Sequence, residues 1–277
     1  MTSSTCLITG GSGGIGAAAA AAIAAQGARV VLVGRDPVRS AAAAAAIRHA
    51  VPAADVDVLI ADLSLLGDVR ALAAETIRRY PRLDVVILNA AVVRPRREIT
   101  AEGFEVVLAT NHLAPFLLAR LLTEHLVGNA PARIVTVTSS VHATVKHVDL
   151  DRLATDFSQI RTYATTKLLN LLAMGELDRR LGGTGVTVNA ADPGFVRTGL
   201  GRDATGAFGL FLKAAGAFQR TPEQGAAPIV RLATDPELAG TTGAYFKAKG
   251  ATVASPTAID VDLAYRVWAW TERLVAP

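Results

Sequence analysis

The sequence TGGSGGIG occupies residues 9–16, between a short apolar run at residues 6–9 and an alanine-rich stretch that continues to residue 25. Glycines between a strand and a helix allow the backbone to approach a pyrophosphate, whose negative charge then meets the helix N-terminus. The five glycines fit several phosphate-loop spacings at once, so a flexible turn is the alternative interpretation. The strand–turn–helix setting favours a dinucleotide. The candidate contacts in this loop are Gly10, Ser12, Gly13, Gly14, Ile15 and Gly16.

Outward from this loop, short apolar runs alternate with helical patterns along the chain. Strands that alternate with helices and are apolar throughout indicate a parallel sheet covered on both faces. No composition break is long enough to be a linker, and no internal repeat is present. We therefore predict the α/β class, as one doubly wound Rossmann domain over residues 1–277 with its ligand at the carboxyl edge of the sheet. The predicted strands are 6–9, 29–33, 56–61, 85–89, 133–138 and 186–190, and the predicted helices after the first are 37–49, 65–80, 101–127, 160–181 and 222–234.

Composition and charge exclude several classes of protein. Hydrophobic residues make up 51% of the chain and charged residues 19%, which excludes a disordered chain. The net charge is +4, but the basic residues are scattered with no run of five, which argues against nucleic-acid binding. The five histidines lack neighbours at ligand spacing, so no metal is expected.

The lone cysteine and the apolar segments bear on the compartment. Cys6 has no partner for an internal disulfide, which fits a reducing environment. The first residues lack the charged and apolar regions of a signal peptide, and the alanine stretch at 17–25 is too short to span a bilayer. These features predict a cytoplasmic protein without a membrane span.

The residues after the second predicted strand bear on the choice of dinucleotide. This strand ends at Gly34-Arg35-Asp36. A carboxylate there holds the ribose hydroxyls of NAD, whereas an arginine accommodates the 2′-phosphate of NADP. We predict NADP(H), with Arg35 as the phosphate contact because a planar guanidinium suits phosphate, and with Arg39 as support. In the alternative, Arg35 is solvated and Asp36 holds the ribose of NAD(H).

A tyrosine and a lysine four residues apart, Tyr163 and Lys167, lie near the start of the predicted helix 160–181. Residues at this spacing share one helix face, so the phenol and the ammonium can address one site. A phenol has a pKa near ~10, which a neighbouring lysine and an oxidised nicotinamide are expected to lower. Tyr163 is therefore the candidate proton donor or acceptor in a carbonyl–alcohol conversion. For an isolated match, a surface Tyr/Lys pair is the alternative.

Together with further segments, these motifs resemble a known family. The chain is similar to short-chain dehydrogenases/reductases, in the branch that includes retinol-dehydrogenase-like and WW-domain-oxidoreductase-like proteins. The segments that carry the resemblance are TGGSGGIG (9–16), LVGRD (32–36), ADLS (61–64), TNHLAPFLLARLL (110–122), RIVTVTSSVH (133–142), YATTK (163–167), ADPGFVRTGL (191–200) and TGAYF (242–246).

The resemblance implies four catalytic residues. Asn111 would shape the active-site helix and hold a proton-relay water, and Ser140, rather than Ser139, would hold the substrate oxygen. Tyr163 would be the acid and base. Lys167 would bind the nicotinamide ribose and lower the pKa of the tyrosine.

The resemblance also implies where the cofactor lies. One pair of residues would flank the adenine, and the loop that begins with Pro-Gly would seat the nicotinamide carboxamide. The chain departs from the family pattern at Ala91, where glycine is usual, and at Thr166, where serine is commoner; neither change removes a catalytic group. The implied contacts beyond the glycine loop are Asp62, Leu63, Asn89, Ala90, Tyr163, Lys167, Pro193, Gly194, Val196 and Thr198.

Two further stretches concern the substrate. Residues 199–220 match the position of the family's substrate lid, and their glycines interleaved with Phe and Leu suggest a mobile cover over a lipophilic pocket. An oligomer contact is the alternative. The cluster Arg94, Arg96 and Arg97 is interpreted as a solvated loop, with an anionic substrate as the other option.

These expectations combine into one functional hypothesis. We predict an NADP(H)-dependent oxidoreductase that interconverts an alcohol with a ketone or aldehyde on a lipophilic small molecule, in a chain compatible with a homo-oligomer. A non-catalytic NADP-binding regulator is one alternative, and the complete four-residue set counts against it. A sugar-nucleotide epimerase or dehydratase is another, but such enzymes need a larger region than the about 80 residues that follow the Pro-Gly segment.

Overall fold

The computed structural model of the protein describes residues 4–153, 155–197 and 219–277, in which strands and helices alternate as the hydrophobic pattern predicts. The strands are β1 Thr5–Thr9, β2 Arg29–Gly34, β3 Val56–Ile60, β4 Val85–Leu88, β5 Ala132–Val137, β6 Val186–Ala191, β7 Tyr245–Lys247 and β8 Gly250–Thr252. The helices are α1 Gly14–Ala24, α2 Pro37–Ala50, α3 Leu66–Arg79, α4 Val106–Gly128, α5 Gln159–Arg180, α6 Pro222–Thr234 and α7 Val261–Leu274.

The strands form one sheet in the order β3-β2-β1-β4-β5-β6-β7-β8. Neighbouring strands from β3 to β7 are parallel, and only the β7–β8 pair is antiparallel. The strand order reverses between β1 and β4, and such a switch point opens a crevice at the carboxyl ends of the strands. The predicted α/β doubly wound fold is confirmed.

The core has two layers, one on each face of the sheet. Along β1, Leu7 faces one cluster while Cys6 and Ile8 face the other, as the alternation of side chains along a strand requires. Residues from α3, α4, α5 and α7 fill the first cluster, and residues from α1, α2 and α6 fill the second. Because both faces are covered, β1 is buried along its whole length.

Helix α4 begins later than the sequence pattern predicts. Residues 101–105 are not helical; Ile99 instead forms a β-bridge with Glu105. The Glu105 carboxylate accepts hydrogen bonds from the backbone N–H groups of Val107 and Leu108, so it caps the helix at its N-terminus. Within the described part of the chain, α4 is also the one helix whose length and apolar composition suit a membrane span, and 72% of its most apolar window is buried inside the fold.

The sequence pattern did not predict β7, β8 and α7. The two strands have three residues each, too few to show a period. Helix α7 packs against α5 and places Trp268 in the core, where the ring lies near the guanidinium groups of Arg120 and Arg180. These elements extend the sheet and cover the helix that carries Tyr163.

Candidate active site

The glycine loop turns sharply between β1 and α1. Gly10 has φ +68° and Gly14 φ +53°, values that residues with a side chain rarely adopt. A Cβ on Gly16 would overlap the carbonyl oxygen of Gly10. The first turn of α1 has no side-chain cap, so its N–H groups stay open to a ligand. A strand, a close-approach glycine loop and an uncapped helix N-terminus fit the pyrophosphate of a dinucleotide.

Asn89 and Thr9 hold this loop from the neighbouring strand. The Asn89 side-chain amide donates to the Thr9 carbonyl at 2.9 Å, and the Thr9 hydroxyl accepts from the backbone N–H groups of Asn89 and Ala90 at 2.9 and 3.1 Å. Asn89 and Ala90 therefore lie beside the glycine loop, where the resemblance places them. Asn89 acts there as a brace for the loop backbone.

The two charged residues that follow β2, Arg35 and Asp36, have different contacts. The Asp36 carboxylate accepts from the N–H groups of Val38 and Arg39 and so caps α2. Arg35 is 65% exposed, with its guanidinium 3.7 Å from the Asp62 carboxylate. Asp62 also accepts from the backbone N–H and the hydroxyl of Ser64, which shapes the turn before α3.

Arg39 extends from the first turn of α2 toward the glycine loop. A Cβ placed on Gly13 would lie 3.6 Å from its guanidinium nitrogen Nη2. Within the described residues this guanidinium has no ion-pair partner. Leu63 is buried just beyond Asp62. Arg39 therefore lies beside the glycine loop, whereas Arg35 lies beside Asp62.

Tyr163 and Lys167 lie in the first turns of α5, at the carboxyl edge of the sheet. Lys167 Nζ donates to the Val137 carbonyl at 2.9 Å and lies 5.6 Å from the centre of the Tyr163 ring. The structure therefore brings the predicted pair to one place, with the lysine buried beneath the tyrosine.

The pKa values of this pair are set mainly by burial. Burial lowers the pKa of Lys167 to about 8, and the negative charge of Asp192 opposes this shift. Burial and, secondarily, Asp192 raise the pKa of Tyr163. This direction is the opposite of the lowering that the sequence led us to expect from Lys167. Desolvation disfavours the charged phenolate, and the negative charge of Asp192 acts in the same direction.

Asn111 is fully buried in a π-helical turn, Ala109–Leu113, of helix α4. Its side chain bonds both backbone groups of Val92: Oδ1 accepts from the N–H at 2.7 Å and Nδ2 donates to the carbonyl at 2.9 Å. Its own carbonyl accepts from the Asn170 amide at 2.7 Å. Asn111 thus ties α4 to the chain after β4 and to α5.

The contacts of Asn111 continue to the C-terminal helix. His112 bonds Asn170 on one side and Thr271 on the other, each at 2.9 Å. Burial lowers the pKa of His112 to about 4. The neutral imidazole therefore links α4, α5 and α7 as a packing residue. In the described ranges, no group of three His, Cys, Asp or Glu residues is arranged to hold a metal.

Ser139 and Ser140 follow β5 and take different partners. Ser139 caps the short helical turn Ser140–Thr144 by accepting from the Val141 N–H at 3.4 Å. The Ser140 hydroxyl donates to the Asp192 carboxylate. Ser140, the serine chosen from the sequence, therefore has its hydroxyl on Asp192, whereas the Ser139 hydroxyl is used as a cap. Sequence reasoning missed the partner of Ser140, Asp192. The one signal in the sequence is the position of this acidic residue directly after the fully buried strand β6.

The loop after β6 lies next to the glycine loop. Gly194 has φ +78°, and a Cβ there would lie 3.2 Å from the Arg220 guanidinium. A Cβ on Gly225 would meet both Val196 and Ile15, which places the two loops side by side. Pro193, Gly194 and Val196 therefore lie where a nicotinamide-seating loop is expected. Thr198 and residues 199–218 of the predicted lid lie outside the described residues.

The arginine cluster after β4 is partly engaged within the fold. Arg94 pairs with Glu98 at 3.2 Å, and Arg97 also has a partner in the protein. Arg96 is exposed. This arrangement agrees better with a solvated loop than with an anion site.

Comparison with known proteins agrees with this geometry. A family model described as short chain dehydrogenase matches residues 4–207. Retinol dehydrogenase 13 of Homo sapiens is 37% identical over 284 residues, which is 99% of this chain and 85% of the relative. A protein of Streptomyces sp. (strain C5) to which daunorubicin C-13 ketoreductase activity is provisionally assigned is 40% identical, over 97% of this chain and 91% of the relative.

A solved structure supports the fold and the family. A short chain dehydrogenase from Burkholderia cenocepacia J2315, in complex with NADP, superposes with a TM-score of 0.72 at 26% identity. The match covers 89% of this chain and 96% of that one. The resemblance predicted from the sequence, including its retinol-dehydrogenase-like branch, is confirmed.

Proposed function

Because the chain belongs to the short-chain dehydrogenase family of nicotinamide-dependent oxidoreductases, we propose that it interconverts a lipophilic alcohol with its ketone or aldehyde, using NADP(H) and Tyr163 as acid and base. The observation that carries the proposal is the meeting of Tyr163, Lys167 and Ser140 at one edge of the sheet, next to the Gly194 loop. We also propose that residues 1–277 form one domain.

Tyr163 is the residue suited to move the proton. Its raised pKa keeps the phenol protonated at neutral pH, ready to donate to a substrate oxygen that gains negative charge. Lys167 is held by the Val137 carbonyl under the ring, from where its cation stabilises the phenolate left after donation. The bound nicotinamide supplies or accepts the hydride.

The remaining site residues position groups rather than exchange protons. Asn111 holds α4 against the chain at Val92, and its carbonyl holds α4 against α5. The Gly194 loop and the glycine loop approach one another through Val196 and Ile15. A substrate carbonyl in this crevice is fixed between Tyr163 and the nicotinamide seat, and such orientation lowers the barrier.

The preference for NADP(H) rests on the edge beyond β2. Asp36, the residue that would favour NAD(H), already uses its carboxylate to cap α2. Arg39 approaches the glycine loop at Gly13, and the exposed Arg35–Asp62 pair is weak enough for a phosphate to replace. The NADP complex of the Burkholderia relative is consistent with this choice.

Two observations favour a lipophilic substrate: the names of the relatives and an exposed aromatic residue next to Gly194. The names of the two relatives refer to retinol and to daunorubicin, both bulky molecules with large apolar parts. Phe195, next to Gly194, leaves 38% of its surface exposed at the crevice. Covering an apolar substrate there gains roughly 25 cal/mol per Å². We further propose a cytoplasmic location, since Cys6 is a buried thiol with no second cysteine to pair with.

The test is a turnover assay with a substrate panel. Purified protein with NADPH is offered acetophenone, all-trans-retinal and glucose, and the loss of reduced-nicotinamide absorbance is followed. We expect turnover of the two lipophilic carbonyls and little of the sugar. Binding of NADPH without turnover of any compound would instead support a non-catalytic regulator, and a preference for the sugar would refute the lipophilic substrate.

A further inference from the structure

Asp192 is a buried carboxylate at the centre of the hydrogen bonds in the candidate active site. It follows β6 directly and is 1% exposed. Three donors converge on it: the Gly194 N–H at 2.8 Å on Oδ1, and the hydroxyls of Tyr245, at 2.8 Å, and of Ser140 on Oδ2. Its negative charge raises the pKa of Tyr163 and works against the lowering of the pKa of Lys167. Asp192 is therefore coupled to three of the four predicted catalytic residues.

The direction of the Ser140 hydrogen bond follows from the chemistry of the partner. An ionised carboxylate accepts hydrogen bonds and has none to donate. The single hydrogen of the Ser140 hydroxyl is thus directed at Asp192, and only the lone pairs of Oγ remain for another group. In this arrangement Ser140 accepts a hydrogen bond from a substrate hydroxyl and does not donate one to a substrate carbonyl.

We propose that Asp192 is a positioning residue that holds Ser140 as a hydrogen-bond acceptor, so that the site discriminates between the alcohol and the carbonyl form of the substrate. This inference rests on the proposed function. While Tyr163 is protonated, the alcohol accepts a hydrogen bond from the phenol and donates its one hydrogen to Ser140 Oγ, whereas the carbonyl form has no hydrogen to give and accepts from the phenol alone. When Tyr163 is deprotonated and acts as the base, the same hydrogen turns from Ser140 to the phenolate. Replacing the carboxylate with a group that donates should reverse this preference.

Asp192→Asn is a substitution of that kind. The Gly194 N–H can only donate, so it keeps the amide oxygen of residue 192 on its side. The amide NH₂ then faces Ser140 and Tyr245 in place of Oδ2, and donates to the serine oxygen. The Ser140 hydrogen becomes free to bond a substrate carbonyl. The side chain of residue 192 changes little in volume.

Tyr245→Phe is the matched control. The Tyr245 hydroxyl bonds the same carboxylate oxygen from β7, while its ring packs edge-on against His142 at 5.5 Å. The same hydroxyl also contacts the Ser140 side chain. Removing it takes away one donor from Asp192 and one neighbour of Ser140, and it leaves the Asp192 carboxylate as the acceptor of the Ser140 hydrogen. The variant reports how much of any effect comes from losing these contacts while the carboxylate stays.

The experiment measures binding in two complexes that cannot react. The dissociation constant of 1-phenylethanol is measured with NADPH-bound enzyme, and that of acetophenone with NADP⁺-bound enzyme, both by calorimetry. In Asp192→Asn we expect weaker alcohol binding and tighter ketone binding, each by about 2- to 10-fold, the range of one neutral hydrogen bond. In Tyr245→Phe the ratio of the two constants should stay within about twofold of the wild type.

The outcomes separate this inference from the proposed function. If the wild type turns over neither probe and binds neither, the proposed function fails and the inference falls with it. If the wild type does turn them over, equal weakening of both ligands by Asp192→Asn, or no change in either, overturns the inference alone. Should Asp192→Asn not fold, Ser140→Ala decides: we expect it to weaken the alcohol and spare the ketone, and the reverse order refutes the proposal.

Discussion

The two sides of the crevice are held in place by different means. On the glycine-loop side, the shape comes from the backbone of residues 9–16, with positive φ at Gly10 and Gly14 and no room for a side chain on Gly16. On the catalytic side, which carries the proposed catalytic residues, it comes from side chains that meet across long sequence distances. Ser140 and Asp192 are 52 residues apart, and His112 and Thr271 are 159 apart.

This difference predicts different consequences of mutation. A backbone-determined loop tolerates no added Cβ, so substitutions there disturb the loop and cofactor binding together. A side-chain network can lose one functional group while its backbone stays in place, so substitutions there alter chemistry more than fold.

Tyr163→Phe should damage catalysis and spare the fold. It removes only the hydroxyl that transfers a proton, and such transfer is typically worth ~10²–10⁴-fold in rate. We expect turnover to fall by that factor while NADPH affinity and the melting temperature stay close to wild type. Tyr265→Phe, at an exposed position on α7, is the control and should keep full activity. A Tyr163→Phe enzyme with most of its activity would show that another group donates the proton.

Arg35→Ala should weaken the binding of NADPH on the glycine-loop side of the crevice and leave the chemical step unchanged. Losing one charge-assisted contact with a 2′-phosphate costs about 1.5–3 kcal/mol, so NADPH should bind roughly 10- to 100-fold more weakly while NADH is unaffected. Titration of both cofactors measures this. Arg29→Ala, at the other end of the same strand, is the matched control and should change neither affinity. Equal wild-type affinity for both cofactors would contradict the assignment of NADP(H).

Gly16→Ala should disturb the loop itself. The new Cβ would overlap the Gly10 carbonyl oxygen, and overpacking of this kind costs about 1–3 kcal/mol. We expect a lower unfolding free energy in denaturant and weaker binding of both NADPH and NADH. Gly175→Ala in α5 is the control, since no atom lies within 4 Å of its Cβ position and alanine favours a helix. If Gly16→Ala is as stable as Gly175→Ala, the close approach in the loop is not a constraint.

Lys167 should make the catalytic side sensitive to pH in a defined direction. Its pKa is lowered by burial to about 8 in the folded protein, against roughly 10.4 in an unfolded chain. Between these values the unfolded state binds more protons, so the free energy of unfolding rises with pH. We expect an increase of about 1–2 kcal/mol between pH 8 and pH 10 in urea titrations, which Lys167→Met should abolish. The same slope in both proteins would mean that Lys167 is not the source.

A buried cation of this kind lowers stability, which fits the proposed role of Lys167 beside Tyr163. Below pH 8 its charge remains in an apolar setting, with only the Val137 carbonyl at hydrogen-bond distance on Nζ within the described structure. The free energy of burying this charge therefore lowers stability on the catalytic side of the crevice. The glycine-loop side carries its cost in backbone conformation instead.

Much of the architecture was predictable because its signals are local. The strand–glycine–helix pattern of residues 9–16 predicts the loop, and the alternation of apolar runs and helical patterns predicts the doubly wound sheet, which the structure confirms. The spacing of Tyr163 and Lys167 predicts a shared helix face, and the two groups do lie together. Helix periodicity and glycine turns need only neighbouring residues to be recognised.

Other features needed the tertiary structure. Asp36 is an α2 cap, the pKa of Tyr163 is raised, and β7, β8 and α7 complete the sheet and its cover. Above all, the convergence of Ser140, Tyr245 and Gly194 on Asp192 has no local signal. The sequence by itself determined the fold class and the family through short-range patterns. Only the folded chain decided hydrogen-bond partners and desolvation, because both depend on which distant segments come together in space.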